Sequence, residues 1–140
     1  MKLRSVTSVC AAALIGAIAT ILTPTPQAHA ENLCGFAFTG GQPYVQHGAV
    51  LVGGYADCTT PPDEFSISLT LVFSPRRGGG EFTTRAAEDS RHKIPNPRLN
   101  IATWAQCEPG LWRGIAAIWE TSSAGYHTYS VHTPVTIISC

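Results

Sequence analysis

From Phe65 to Phe73 the chain alternates apolar and small polar residues. Phe65, Ile67, Leu69, Leu71 and Phe73 fall on one side, Ser66, Ser68 and Thr70 on the other. A period of two held over nine residues marks a half-buried strand. Weaker versions of the pattern flank it. Cys34–Thr39 carries Phe36 and Phe38 and is broken by Gly40-Gly41-Gln42-Pro43. Ala49–Cys58 sets Val50, Val52 and Ala56 on the side of Cys58, and its Gly53-Gly54 pair predicts a bulge or a close backbone approach. After the turn at Pro75–Gly80, Glu81–Ala86 reads as a polar edge strand, and Ala87–Arg98 as a polar, proline-bearing connection. Leu99–Ala105 is a further strand, carrying Trp104 near its end.

The last third is the clearest unit. Cys107-Glu-Pro-Gly forms a corner. The largely apolar run Leu111–Trp119, the turn Ser122–Gly125 and the run Tyr126–Val131 then predict a hairpin. In its register His127 faces Glu120, Tyr129 faces Ile118 and Val131 faces Ala116, a side that reads as core apart from its outer end. The other side pairs Trp119 with Thr128, Ala117 with Ser130 and Ile115 with His132. In total the chain predicts about seven to nine short antiparallel strands and no amphipathic helix. That is an all-β fold, an immunoglobulin-like β-sandwich in architecture. The cysteine pair enclosing a strand tryptophan that marks true immunoglobulin domains is absent.

The start of the chain is of another kind. Lys2 and Arg4 precede an apolar stretch, Val9–Leu22, followed by Thr-Pro-Thr-Pro and Ala28-His29-Ala30. This predicts a secretory signal peptide cleaved after Ala30, leaving 31–140 as a single domain outside the cell. The stretch is shorter than the ~20 apolar residues that cross a bilayer, and nothing later is long enough to cross one.

Four cysteines follow the leader: Cys34, Cys58, Cys107 and Cys140. An even number in a short exported chain predicts two disulfides. Their spacing is too wide, and lacks the C-x-x-C pairs, for a zinc site. The midpoint of Cys107 and Cys140 falls inside Ser122–Gly125, and that of Cys34 and Cys58 at Gln46-His47-Gly48. Both midpoints lie in turns, which favours Cys34–Cys58 with Cys107–Cys140. In the first of these hairpins Phe36 faces Ala56 and Phe38 faces Gly54, large against small. A terminal clamp, Cys34–Cys140 with Cys58–Cys107, is the competing arrangement.

Beyond the leader stand seven Lys and Arg against nine Asp and Glu, a net charge of −2. That balance argues against a general nucleic-acid binder, whose affinity comes from cations neutralising phosphates. Six of the cations, Arg76, Arg77, Arg85, Arg91, Lys93 and Arg98, fall in one stretch. They could form a local basic face, although Glu81, Glu88 and Asp89 interrupt it. The chain has no G-x-S-x-G elbow and no H-E-x-x-H helix, and Gly78-Gly79-Gly80 lacks the Gly-Lys-Ser/Thr ending of a phosphate loop. His127 and His132 are five apart on one strand and therefore face opposite ways. No catalytic residue, metal ligand or cofactor is indicated. Trp119, beside small polar residues on a mixed face, is a candidate contact anchor for a partner or a sugar ring; cover by a neighbouring strand or loop is the competing reading. Trp112 reads as core, and Trp104 is left open.

Three strings carry a resemblance: Ile94-Pro-Asn-Pro-Arg98, Ala102–Arg113 (Ala-Thr-Trp-Ala-Gln-Cys-Glu-Pro-Gly-Leu-Trp-Arg) and the terminal Thr136-Ile-Ile-Ser-Cys140. They resemble small secreted two-disulfide proteins of actinomycetes, over about the last two-thirds of the chain. The resemblance implies a structural framework and brings no activity. The chain is also similar in size and cysteine count to secreted chromophore-binding sandwiches of actinomycetes. Those use short disulfide loops, so their ligand pocket is not carried over.

The expected function is a secreted binding module for a protein or cell-surface glycan, with Trp119, Arg91, Lys93 and Arg98 as its candidate contact residues. A small extracellular enzyme with a loop-built site, and an inhibitor or toxin inserting Arg91–Arg98 into a target, are the alternatives. Peptide mapping without reduction tests the framework: a fragment joining Cys34 to Cys58 is expected, and one joining Cys34 to Cys140 would overturn the pairing.

Overall fold

A computed structural model describes residues 32–76 and 80–140. The expected signal peptide, Arg77, Gly78 and Gly79 lie outside the described residues. Nine strands follow one another: β1 (Cys34–Phe38), β2 (Tyr44–Gln46), β3 (Ala49–Cys58), β4 (Glu64–Ser74), β5 (Thr83–Arg91), β6 (Arg98–Gln106), β7 (Gly110–Ser122), β8 (Gly125–His132) and β9 (Thr136–Ile138). They make two antiparallel sheets. In the four-stranded sheet β3 is central, with β1 and β2 sharing one flank and β6 on the other. The five-stranded sheet runs β5-β4-β7, with β8 and β9 sharing the far flank of β7.

The alternation of β4 is borne out. Phe65, Ile67, Leu69, Leu71 and Phe73 are all buried, while Ser66, Ser68 and Thr70 are only partly covered. They meet Trp112, Ala116 and Ile118 of β7, Val50, Val52 and Ala56 of β3, and Leu99 and Ile101 of β6 in one core between the sheets. Full burial of each large side chain stabilises by roughly 1.5–3 kcal/mol. Trp112 is wholly buried, as its place after Pro-Gly predicts. Its indole Nε1 donates to the Glu108 carbonyl at 2.9 Å, so its one polar atom is satisfied.

Both disulfides join the expected cysteines, Cys34–Cys58 and Cys107–Cys140. Each closes a loop of a few tens of residues, worth roughly 3–4 kcal/mol in the chain-entropy view. The first bridges two directly paired residues of β1 and β3, in the register that sets Phe36 against Ala56 and Phe38 against Gly54. The turn at the midpoint is also present. Gln46 pairs with Ala49, and His47 and Gly48 both have positive φ, 49° and 76°. That is a two-residue hairpin loop with both central residues left-handed. The hairpin is not simple, however. Thr39–Pro43 bulges out between β1 and β2, so the two strands pair with β3 in different registers.

One further expectation is corrected, and two others are met with a qualification. The polar connection after Ala86 is not a loop as far as Arg91. β5 continues to Arg91 because its backbone pairs along β4 as far as Ser66, and an exposed edge strand needs no apolar residues. Of the bulge or close approach expected at Gly53-Gly54, close approach is present; the irregularity of the ladders lies in the β4–β5 pairing between Leu71 and Val72. β3 itself pairs with β6 without interruption. The final hairpin keeps its predicted register from Ser122–Gly125 to Ile115–His132, then stops. Thr133 turns inward and is buried. Its Oγ1 accepts from the Gly114 N–H at 2.9 Å, and β9 re-pairs with β7 beyond Pro134.

At Gly54 a Cβ would run into the Phe36 ring and the Ala37 carbonyl oxygen. Gly54→Ala is expected to destabilise by roughly 1–3 kcal/mol through overpacking. At Gly53 an added Cβ meets nothing nearer than the Ala102 Cβ at 3.2 Å, so Gly53→Ala is expected to cost less. Urea unfolding of the two variants checks the order.

Candidate functional site

On the outer face of the five-stranded sheet, pairing brings Arg91, Ser66, Trp119 and Thr128 into one cross-strand row. Asp89, Ser68, Ala117 and Ser130 form the next. Small residues on β4 leave a trough between the larger side chains of β5 and β7. The result is an open groove of about 420 Å³, lined by Ser66, Ser68, Asp89, Arg91, His92 and Trp119. Trp119 is half-buried, while Asp89, Arg91 and His92 are exposed. The groove's end is fixed by the chain. His92 leaves β5 with φ 55°, and its N–H donates to Ser66 Oγ at 3.4 Å. Histidine is among the few residues that tolerate this left-handed setting.

The candidate cations are not gathered together. Arg91 borders the groove and its guanidinium lies 3.7 Å from the Asp89 carboxylate. Lys93 is exposed on the connection that follows. Arg98 opens β6 on the other sheet, 3.7 Å from Asp57, with its guanidinium 3.7 Å from the centre of the Tyr55 ring. Arg85 pairs with Glu108 at 3.3 Å and lies over Phe73. Among the described residues, Arg85, Arg91 and Arg98 of the clustered cations thus have an acidic neighbour, and the groove is of mixed sign. Exposed pairs of this kind contribute little to stability. Their consequence here is to shape the surface charge.

His127 and His132 stand on opposite faces, as their spacing predicts. His132 is exposed opposite Ile115, and His127 faces Glu120 on the inner side. Among the described residues no three His, Cys, Asp or Glu side chains are placed to share a metal ion. No helix among them is long and apolar enough to cross a membrane.

The strongest polar cluster of the interior is structural. Glu120, only 1% exposed, accepts from the backbone N–H groups of Leu33 (2.8 Å) and Cys34 (3.1 Å). The Tyr129 hydroxyl donates to the Cys34 carbonyl. Two side chains of the five-stranded sheet thereby hold the start of β1 in the other sheet, beside the Cys34–Cys58 bridge. Sequence reasoning placed Glu120 at the outer end of a core face and missed this role. A lone carboxylate on the inward side of a strand as apolar as β7 was the available signal.

Sequence reasoning also left Trp104 open, and it is the most exposed large apolar side chain among the described residues, at 66%. The available signal was its parity, since Leu99, Ile101 and Thr103 alternate with it on β6 and are buried.

Compared with protein-family models, curated proteins and solved structures, the chain matches none. Its function is therefore read from these surfaces.

Burial, and then the charge of Glu120, push the Tyr129 hydroxyl up from 10.0 to about 12. Its neutral form is favoured by the fold, so its contribution is complete below pH 10. Between about pH 10 and 12 the unfolded chain loses a proton that the folded chain retains, and stability falls. Urea titrations across this window should show the wild type losing its advantage over Tyr129→Phe, which has no proton to lose. An unchanged difference would remove Tyr129 from the alkaline transition.

Proposed function

We propose that the chain is a secreted, non-catalytic binding module, an immunoglobulin-like sandwich akin to small secreted actinomycete proteins, that engages a protein or glycan of the cell exterior. The observation that carries this reading is the groove beside Trp119. An aromatic face with hydrogen-bonding groups within one side-chain length is the composition of contact sites that need both stacking area and orientation. The exposed setting of Asp89, Arg91 and His92 favours a contact surface over an enclosed reaction site, where polar groups converge in a pocket sheltered from water. Two formed disulfides fit an oxidising compartment. The Cys107–Cys140 bridge also ties the chain just before β7 to the chain just after β9, in the sheet that carries the groove, and a surface held to one shape loses less entropy on binding.

The test is affinity capture. The oxidised protein, exported with its own leader, is immobilised and offered native culture medium, cell-wall fragments and membrane extract. Trp119→Ala and a triple Arg91/Lys93/Arg98→Ala variant run in parallel. Retention of a ligand by the parent, with roughly tenfold weaker retention by Trp119→Ala, is expected for loss of a central aromatic anchor. If the parent retains nothing, or retains its ligand equally when Trp119 is removed, the groove is not the site.

A further inference from the structure

The outer face of the four-stranded sheet differs in chemistry from the groove. β2, β3 and β6 align Tyr44, Leu51 and Trp104 in one cross-strand row, and Gln46, Ala49 and Gln106 in the next. Trp104 is 66% exposed and Tyr44 44%. Both glutamines are exposed. Each large aromatic therefore has a carboxamide two residues further along its own strand, on the same face. The row on the other side is Gly53 and Ala102, so the floor there is flat. Among the described residues of these strands, charge stands on this face only at its far end, where Asp57 and Arg98 neutralise each other and Arg98 lies over Tyr55.

The geometry points to a second contact surface here, separate from the Trp119 groove, that takes a flat, uncharged polysaccharide chain. The two aromatic residues are two strand spacings apart, ~10 Å, about the length of a disaccharide. Their rings offer apolar faces to the C–H faces of sugar rings, and Gln46 and Gln106 offer a donor and an acceptor each to hydroxyl groups. A β-linked chain is a flat ribbon; between the two rings it crosses the partly covered Leu51, and in the adjacent row Gly53 and Ala102 add no bulk. A protein partner is a poorer fit. The aromatic anchors of protein interfaces fill pockets and are often matched by charge at the rim, whereas this face offers protruding aromatics, a level floor and no free charge near them. A nucleic acid finds no cation beside Trp104 or Tyr44 to meet its phosphates.

The experiment uses the full exported chain in co-sedimentation with regenerated cellulose and with chitin, two insoluble, uncharged, β-linked polysaccharides. Binding to at least one is expected, unchanged at about 1 M salt, where the Debye length is ~3 Å. Trp104→Ala and Tyr44→Ala are each expected to weaken it by roughly tenfold. Trp104→Phe should retain most of it, and Tyr126→Ala, at an exposed aromatic on β8 of the other sheet, all of it. Thermal unfolding confirms that the variants fold, which the exposure of both side chains predicts. Failure of the parent to bind either polymer overturns the assignment. Binding that collapses in salt overturns it as well. Loss in Trp119→Ala with retention in Trp104→Ala also overturns it, while leaving the groove as the site. A dimer in sedimentation that Trp104→Ala dissolves would make this face an interface between copies of the chain and overturn it too.

Discussion

The fold depends on a buried carboxylate. Glu120 lies in the interior on β7, where an unpaired charge would be costly, and it is accommodated because two backbone N–H groups point at it. Those groups belong to the start of β1, in the opposite sheet. The bonds to Glu120 are charge-assisted, and with the neutral bond from the Tyr129 hydroxyl to the Cys34 carbonyl they clasp the two sheets together. Hydrophobic burial holds the sheets together but is indifferent to small sliding motions. Directional bonds between them are not, and they fix β1, and with it the Cys34–Cys58 bridge, at one place on β7.

The two outer faces follow from that fixed core. Both are made of side chains of the wrong parity to be buried, so their chemistry is free of packing demands. One presents Trp119 among serines, an acid, an arginine and a histidine. The other presents Trp104 and Tyr44 among amides and small residues. Nothing in the fold requires either aromatic to stand in water, which is why both invite a functional reading. The contrast in charge separates the ligands they suit, one needing polar orientation of mixed sign and the other none. The disulfides and the clasp contribute by holding each surface to a single shape before a ligand arrives.

Much of this was legible along the chain because strand parity is local. The run Phe65–Phe73 showed which residues enter the core. The turn midpoints favoured both disulfides, although Cys34 meets Cys58 only because Thr39–Pro43 shifts β1 out of the register set by the His47-Gly48 turn. The register of the final hairpin put Trp119 on a mixed face and His127 opposite Glu120. Where the reading stopped short, the missing information was non-local. Residues Ala87–Arg91 look like loop because they bury nothing, yet they pair with β4 from the edge. The glycines of β3 signal an irregularity, and only the position of Phe36 and the Ala37 carbonyl shows that close approach is the reason at Gly54.

The sequence by itself determined most of the strand pattern and which side chains alternate inward, and it favoured the cysteine pairing that formed over a terminal clamp, because each depends on neighbours a few residues apart or on the two arms of one hairpin. The tertiary structure alone decided what stands beside what. It set Arg91 and Asp89 of β5 along the same trough as Trp119 of β7, moved Arg98 to the other sheet, placed Tyr44 and Trp104 on one row, and gave Glu120 its partners on β1. These are contacts between strands distant in sequence, and they are set by how sheets pair and pack, which no local period encodes.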